Sequence, residues 1–119
     1  MSNIIHDKTF SFAVRIVNLV RYLQKEQKEF IVSNQLLRCG TAVGAMVREA
    51  EHAQSKKDFI SKMSIGLKEI NETNYWLRLM HETKIVDDKQ FQSLQKDCLE
   101  ILRITAKIVK TSKENNAVR

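Results

Sequence analysis

The chain has 119 residues, of which 43% are hydrophobic and 29% charged, and its 20 basic and 14 acidic side chains give a net charge of +6. That length suits one domain, residues 1–119, with a real core. There is no proline and there are only three glycines, Gly40, Gly44 and Gly66, so a strand-and-turn protein is disfavoured and long helices are left uninterrupted.

The first predicted helix covers about 7–27, with Asp7 as its N-cap. Ser11, Arg15, Asn18, Tyr22 and Lys25 share one polar face, while Phe10, Phe12, Ala13, Val14, Ile16, Val17, Leu19, Val20 and Leu23 fill the rest. That apolar arc is wider than one bundle core requires. The second helix covers about 34–53, capped by Ser33. Its segment CGTAVGAMV, residues 39–47, carries no charge. A helix apolar or small all round has to be covered all round, which points to another subunit as well as the rest of the fold. The third helix covers 55–83, and Ser55 with Asp58 gives it a start like a capping box. Its core face is Phe59, Met63, Leu67, Ile70 and Leu77. Asp87 or Asp88 caps the fourth helix, about 87–111, with core residues Phe91, Leu94, Cys98, Ile101, Leu102, Thr105, Ile108 and Val109. The tail, 112–119, is expected to fray. Short links between helices ~30 Å long favour antiparallel neighbours, so the expected architecture is an all-α, up-down-up-down four-helix bundle that self-associates.

Gly40 and Gly44 stand four apart. Each costs ~1 kcal/mol against alanine inside a helix unless close packing recovers it. They flatten one face for an approaching helix, either within the bundle or across a subunit interface. Ala42 and Met46 leave the opposite side apolar as well, which favours the interface. Beside this segment, Arg38, Arg48 and Glu49 stand opposite Lys62, Glu69 and Glu72. They form either charge-assisted pairs between buried helix faces or a solvated surface network.

Glu49 and His52 have the ExxH spacing of di-iron bundles, but the second ExxH and the remaining glutamates are missing. His6, His52 and His81 are scattered. No serine or cysteine has a histidine partner, and no glycine-rich loop could cradle a phosphate. Cys39 and Cys98 fall inside apolar helical patterns and read as reduced core thiols. No catalytic residue, metal or cofactor is therefore expected. No apolar run reaches the ~20 residues of a membrane span. The start, MSNIIHDKTF, lacks signal-peptide features, so a cytoplasmic protein is expected.

The charge is uneven. Residues 1–48 carry seven basic and three acidic groups, residues 49–88 six and eight, and residues 89–119 seven and three. Lys89, Lys96, Arg103, Lys107 and Lys110 lie along one face of the fourth helix, joined by Glu100. Lys8, Arg15 and Lys25, flanked by Arg21 and Lys28, do much the same on the first, with Tyr22 among them. If those helices are neighbours the stripes could merge. Arg15, Arg21, Lys25, Lys96, Arg103, Lys107 and Lys110 are then the candidate phosphate contacts, and Tyr22 a platform for an unpaired base. A solvated face is the competing reading.

Residues 35–80 read QLLRCGTAVGAMVREAEHAQSKKDFISKMSIGLKEINETNYWLRLM. This run resembles the small four-helix-bundle proteins encoded within intervening sequences of bacterial 23S ribosomal RNA genes. There the segment typically reads LLRSGTSIGANIxEA, then SKxDFxxKLxIAxKEAxETxYWLxLL. Weaker likeness covers residues 8–110. The departures are Cys39 and Ala42 for serine, Met46 for asparagine and Gly66 for alanine. The resemblance implies a cytosolic bundle assembled as a ring, typically a homopentamer. It also implies kinship with the accessory variability protein of diversity-generating retroelements, which binds nucleic acid and the reverse transcriptase. It implies no catalysis. Two functions follow as expectations: a basic oligomeric accessory protein that binds RNA or DNA, or a protein scaffold, for example for a reverse transcriptase, without nucleic acid.

Overall fold

With no proline to remove a backbone donor, the apolar recurrences at three and four residues run on as long helices. The computed structural model describes residues 3–118, with side chains for 4–115. Its elements are α1 (Asn3–Glu26), α2 (Ile31–Glu51), α3 (Lys56–Glu82) and α4 (Asp88–Val118), and no strand occurs among the described residues. Each helix packs on its neighbours in sequence, α1 also meets α4, and the backbones of diagonal helices stay apart. The result is a four-cornered bundle of 52 × 22 × 21 Å.

Several expected ends move. Asp7 is not an N-cap, because α1 already runs from Asn3. Ser33 is not the cap of α2 either. It lies inside the helix, fully buried, and the capping passes to Glu29. The Glu29 carboxylate accepts the N–H groups of Ile31 at 3.2 Å, Val32 at 3.1 Å and Ser33 at 2.7 Å. Burial pushes this carboxyl up, but the three backbone donors together hold it below the usual carboxylate value. The tail expected to fray is helical to Val118, and residues 1, 2 and 119 lie outside the described residues. At α3 the Ser55 hydroxyl accepts from Asp58 N at 3.0 Å. The Asp58 carboxylate reaches back to Gln54 N, one residue before the box position, at 3.2 Å. At α4 Asp87 is the cap, accepting from Gln90 N at 2.7 Å.

The α3–α4 turn is a Schellman motif built without glycine. Ile85 N donates to Met80 O at 2.8 Å and Lys84 N to His81 O at 3.1 Å, with Lys84 in the left-handed region at φ 63°. Lys28, in the α1–α2 turn, has φ 57°.

The core takes Ile5, Phe12, Ile16 and Leu23 from α1, Leu36, Val43 and Val47 from α2, Met63, Ile70, Leu77 and Met80 from α3, and Leu94, Cys98 and Ile101 from α4. Phe59, Leu67, Phe91, Leu102 and Ile108 pack half-buried around it. The buried threonines Thr9, Thr73 and Thr105 each donate to the carbonyl four residues back, at 2.8, 2.8 and 2.9 Å, so none of the three hydroxyls is stranded in the core.

The glycines set the distance between helices. A methyl at Gly40 would stand 3.0 Å from Cγ1 and Cγ2 of Ile16, and one at Gly44 would meet Thr9 at 3.5 Å. The flat face expected to meet another subunit is therefore filled by α1 of the same chain. Gly66 differs: a methyl there would stand 3.5 Å from Met46 Cβ, in ordinary contact.

Two outcomes are expected. Gly66→Ala raises stability by about 1 kcal/mol, because the added carbon sits in ordinary contact. Gly40→Ala lowers it, because Ile16 is fully buried and cannot step aside. Thermal denaturation of the pair checks this, and equal gains would show that α1 yields. Glu29→Ala costs about 1 kcal/mol at pH 7, the scale of a lost N-cap. A carboxyl lowered by folding stabilises fully above its ordinary value of 4.5 and loses that effect as pH falls through the lowered value. The difference from wild type in urea titrations therefore narrows between pH 7 and pH 3; a constant difference would refute the cap.

Candidate nucleic-acid interface

On α4, core residues Leu94, Cys98, Ile101, Thr105 and Val109 fix which side faces inwards. Lys96, Arg103, Lys107 and Lys110 follow at spacings of seven, four and three on the side turned away, and all four are exposed. Lys89 continues the line one heptad earlier. No hydrogen bond or ion pair holds these side chains among the described residues. Lys96 and Arg103 are near enough only to help lower the nearby Glu100.

The basic residues of α1 fare differently. Lys8 Nζ sits 2.7 Å from Glu100 Oε1, and this hydrogen bond is the main reason the Glu100 carboxyl lies below its usual value. Arg15 donates to Asp97 at 2.5 Å and to the Ser93 hydroxyl at 2.8 Å. The α1–α4 seam is thus neutralised. Arg21 stands one heptad beyond Val14, and Lys25 one heptad beyond Asn18. Both are exposed, but on lines of α1 other than that of Lys8 and Arg15. The two stripes meet at a neutral seam and do not merge. Arg15 is tied into that seam, leaving Lys96, Arg103, Lys107 and Lys110 as the group brought together. The partners missed in the sequence, Asp97 and Glu100, were signalled by their own spacing of three on one side of α4.

Between α2 and α3, Arg38 donates to Glu69 at 3.0 Å and to Glu72, and Trp76 Nε1 donates to Glu72 at 2.9 Å. The Trp76 hydrogen bond and then Arg38 hold the Glu72 carboxyl below its ordinary value. Glu49 pairs with Lys62 at 3.6 Å, while Arg48 is exposed with no such partner among the described residues. Of the two readings left open for these charges, the structure favours a surface network: the Arg38 side chain is 52% exposed and its partner Glu69 17%. Such pairs contribute little net stability.

Ala42 and Met46 are half-buried and Ala45 is exposed. The outer line of α2 is thus small and apolar between Arg38 and Arg48. Beside it on α1, Phe10 is 63% and Val14 45% exposed. A groove of about 270 Å³ separates the two helices, its walls including Thr9, Phe10, Ala13, Thr41 and Ala45. The wide apolar arc of α1 thus reaches the surface.

Among the described residues no group of three or more His, Cys, Asp or Glu side chains is placed to hold a metal, and no helix is long and apolar enough to cross a membrane. Glu49, the start of the ExxH spacing, is engaged with Lys62.

The sequence pattern of the 23S rRNA-intervening sequence protein family matches residues 1–107. The chain belongs to that family. It is also similar to a crystal structure from Bacteroides thetaiotaomicron, described as a protein with unknown function from the S23 ribosomal protein family. The two are 51% identical with a TM-score of 0.87, over 89% of this chain and 98% of that one. No curated protein matches the chain. The family-like run, residues 35–80, forms most of α2 and α3, where the glycines and the Arg38 network lie. Cys39, at a position where the resemblance leads one to expect serine, is fully buried, and burial pushes its thiol up. Burial does the same to Cys98, to about 12, so neither thiol has the character of a nucleophile.

Proposed function

We propose that this 23S rRNA-intervening sequence protein is a non-enzymatic, self-associating bundle that binds RNA or DNA through phosphate contacts, without a cofactor. The observation that carries this reading is the row Lys96, Arg103, Lys107 and Lys110. Four exposed cations share one side of one helix with no partner of their own, while the basic groups of the adjacent seam are neutralised. A polyanion relieves their mutual repulsion and releases counterions on binding. Contacts of this kind position a nucleic acid without reading its sequence.

The antiparallel, up-down-up-down order is supported by paired positions. Residues 8 and 15 of α1 meet 100 and 97 of α4, and residues 38 and 49 of α2 meet 72 and 62 of α3. Self-association is supported by the apolar surface at Phe10, Val14 and Ala45, which gains ~25 cal/mol for each Å² removed from water. The family resemblance extends this to a cytoplasmic homopentamer. A ring repeats the α4 face in every subunit and strengthens weak binding by multivalency. A second reading, an adaptor for a partner protein such as a reverse transcriptase, draws on the same apolar surface and needs no nucleic acid.

Mobility of labelled structured ribosomal RNA and duplex DNA is expected to shift with the protein. Four phosphate contacts on duplex DNA give a log–log salt slope near ~3.6, or roughly a hundredfold loss between 50 and 200 mM salt. Arg103→Glu with Lys107→Glu removes the shift. If wild type gives no shift even at low salt, the adaptor reading prevails. In sedimentation at micromolar concentration, wild type runs as an oligomer and Phe10→Asp with Val14→Asp as a folded monomer. A monomeric wild type would overturn the assembly.

A further inference from the structure

We infer that Tyr22 anchors a site for a single unpaired nucleotide; this deepens the nucleic-acid reading above and rests on it. Two clefts of about 420 and 460 Å³ lie side by side where the α3–α4 turn meets α1, sharing Tyr22, Asp87 and Gln90 as walls. One extends to Arg15 and Lys89, the other to Lys84 and Gln27. The Tyr22 ring, 52% exposed, has no hydrogen bond or ring contact among the described residues.

The chemistry of the walls is selective. Each of their acids has one hydrogen-bond partner and keeps its charge. Asp87 accepts from Gln90 N at 2.7 Å. Asp88 lies 2.6 Å from His81 Nε2, and the His81 ring stacks on Phe91 at 4.1 Å. Arg15 is held by Asp97 and Ser93. What remains without a partner is the Tyr22 phenol, the Lys84 and Lys89 ammonium groups and the Gln90 side-chain amide. An aromatic face, two cations and an amide are what a base with its phosphate requires: the base stacks on the ring, the phosphate meets the lysines, and the amide faces the base edge. Lys84 stands in the left-handed turn between α3 and α4.

The cleft also adjoins the outer face of α4, because Lys89 belongs to both. A strand following Lys96, Arg103 and Lys107 reaches Tyr22 at its end. A base inside a duplex has both faces covered by its neighbours and cannot use the ring. The ligand is therefore a single-stranded or flipped nucleotide.

The test is fluorescence anisotropy with a labelled single-stranded oligoadenylate and a blunt RNA duplex of equal length. Tyr22→Ala should weaken single-strand binding about tenfold or more, in the range of one lost stacking contact, and leave the duplex unchanged. Tyr22→Phe should bind as wild type does, and Lys84→Gln with Lys89→Gln should weaken the single strand. If Tyr22→Ala binds the single strand normally while Arg103→Glu with Lys107→Glu loses both probes, the Tyr22 site falls and the α4 reading stands. If wild type binds neither probe, both fall.

Discussion

The approach of α2 to α1 at Gly40 decides where the rest of the molecule lies. With Ile16 carbons 3.0 Å from where a methyl would be, even alanine requires the buried Ile16 side chain to give way. Gly44 against Thr9 continues the contact at ordinary distance, and α3 packs over Met46 from the other side at Gly66. Two glycines in a helix are unfavourable by ~1 kcal/mol each, and tight dispersion contact is what offsets them. Once α2 is drawn in on both flanks, its one remaining side, Thr41, Ala42 and Ala45, faces outwards. The apolar arc of α1 is turned out beside it. The surface proposed for assembly is thus a consequence of how the interior closes.

Charge sorts along the same lines. Positive residues that face a neighbouring helix find a carboxylate: Lys8 with Glu100, Arg15 with Asp97, Arg38 with Glu69 and Glu72, Lys62 with Glu49. Those on the outer side of α4 face nothing. A stripe counted in the sequence overstates the field, because Lys8 and Arg15 are paired with a helix 92 and 82 residues away in the chain. The surplus that survives is local, and its position on α4 makes it a candidate face for a polyanion.

Much of the fold was legible because it is written in short-range periodicity. Met63, Ile70 and Leu77, then Leu94, Cys98 and Ile101, recur at helical spacing and are buried as that spacing demands. Ser55 with Asp58 signalled a helix start because both partners lie within four residues. Capping failed where the acceptor was unusual. Glu29 serves α2 from just before the helix, and Ser33, the better capping residue by type, was drawn inside instead. The glycine pattern announced a close approach but not its partner, since a flat face serves a neighbour in the same chain and one in another equally well. The same limit applies to Arg15. Its type and spacing suggest a phosphate, and only the position of Asp97 across the seam reveals how it is engaged.

The contact between α1 and α4 is the slightest in the bundle, and it joins segments separated by up to 92 residues. Every other pair of helices that packs together is adjacent along the chain. Adjacent pairs close short loops and form early and fast, whereas this one closes almost the whole polypeptide. At the surface it is fastened by two partly exposed charge pairs, which mobile ions weaken. Concentrated electrolyte therefore eases the fourth corner of the bundle, and the same ions oppose the polyanion binding proposed for α4.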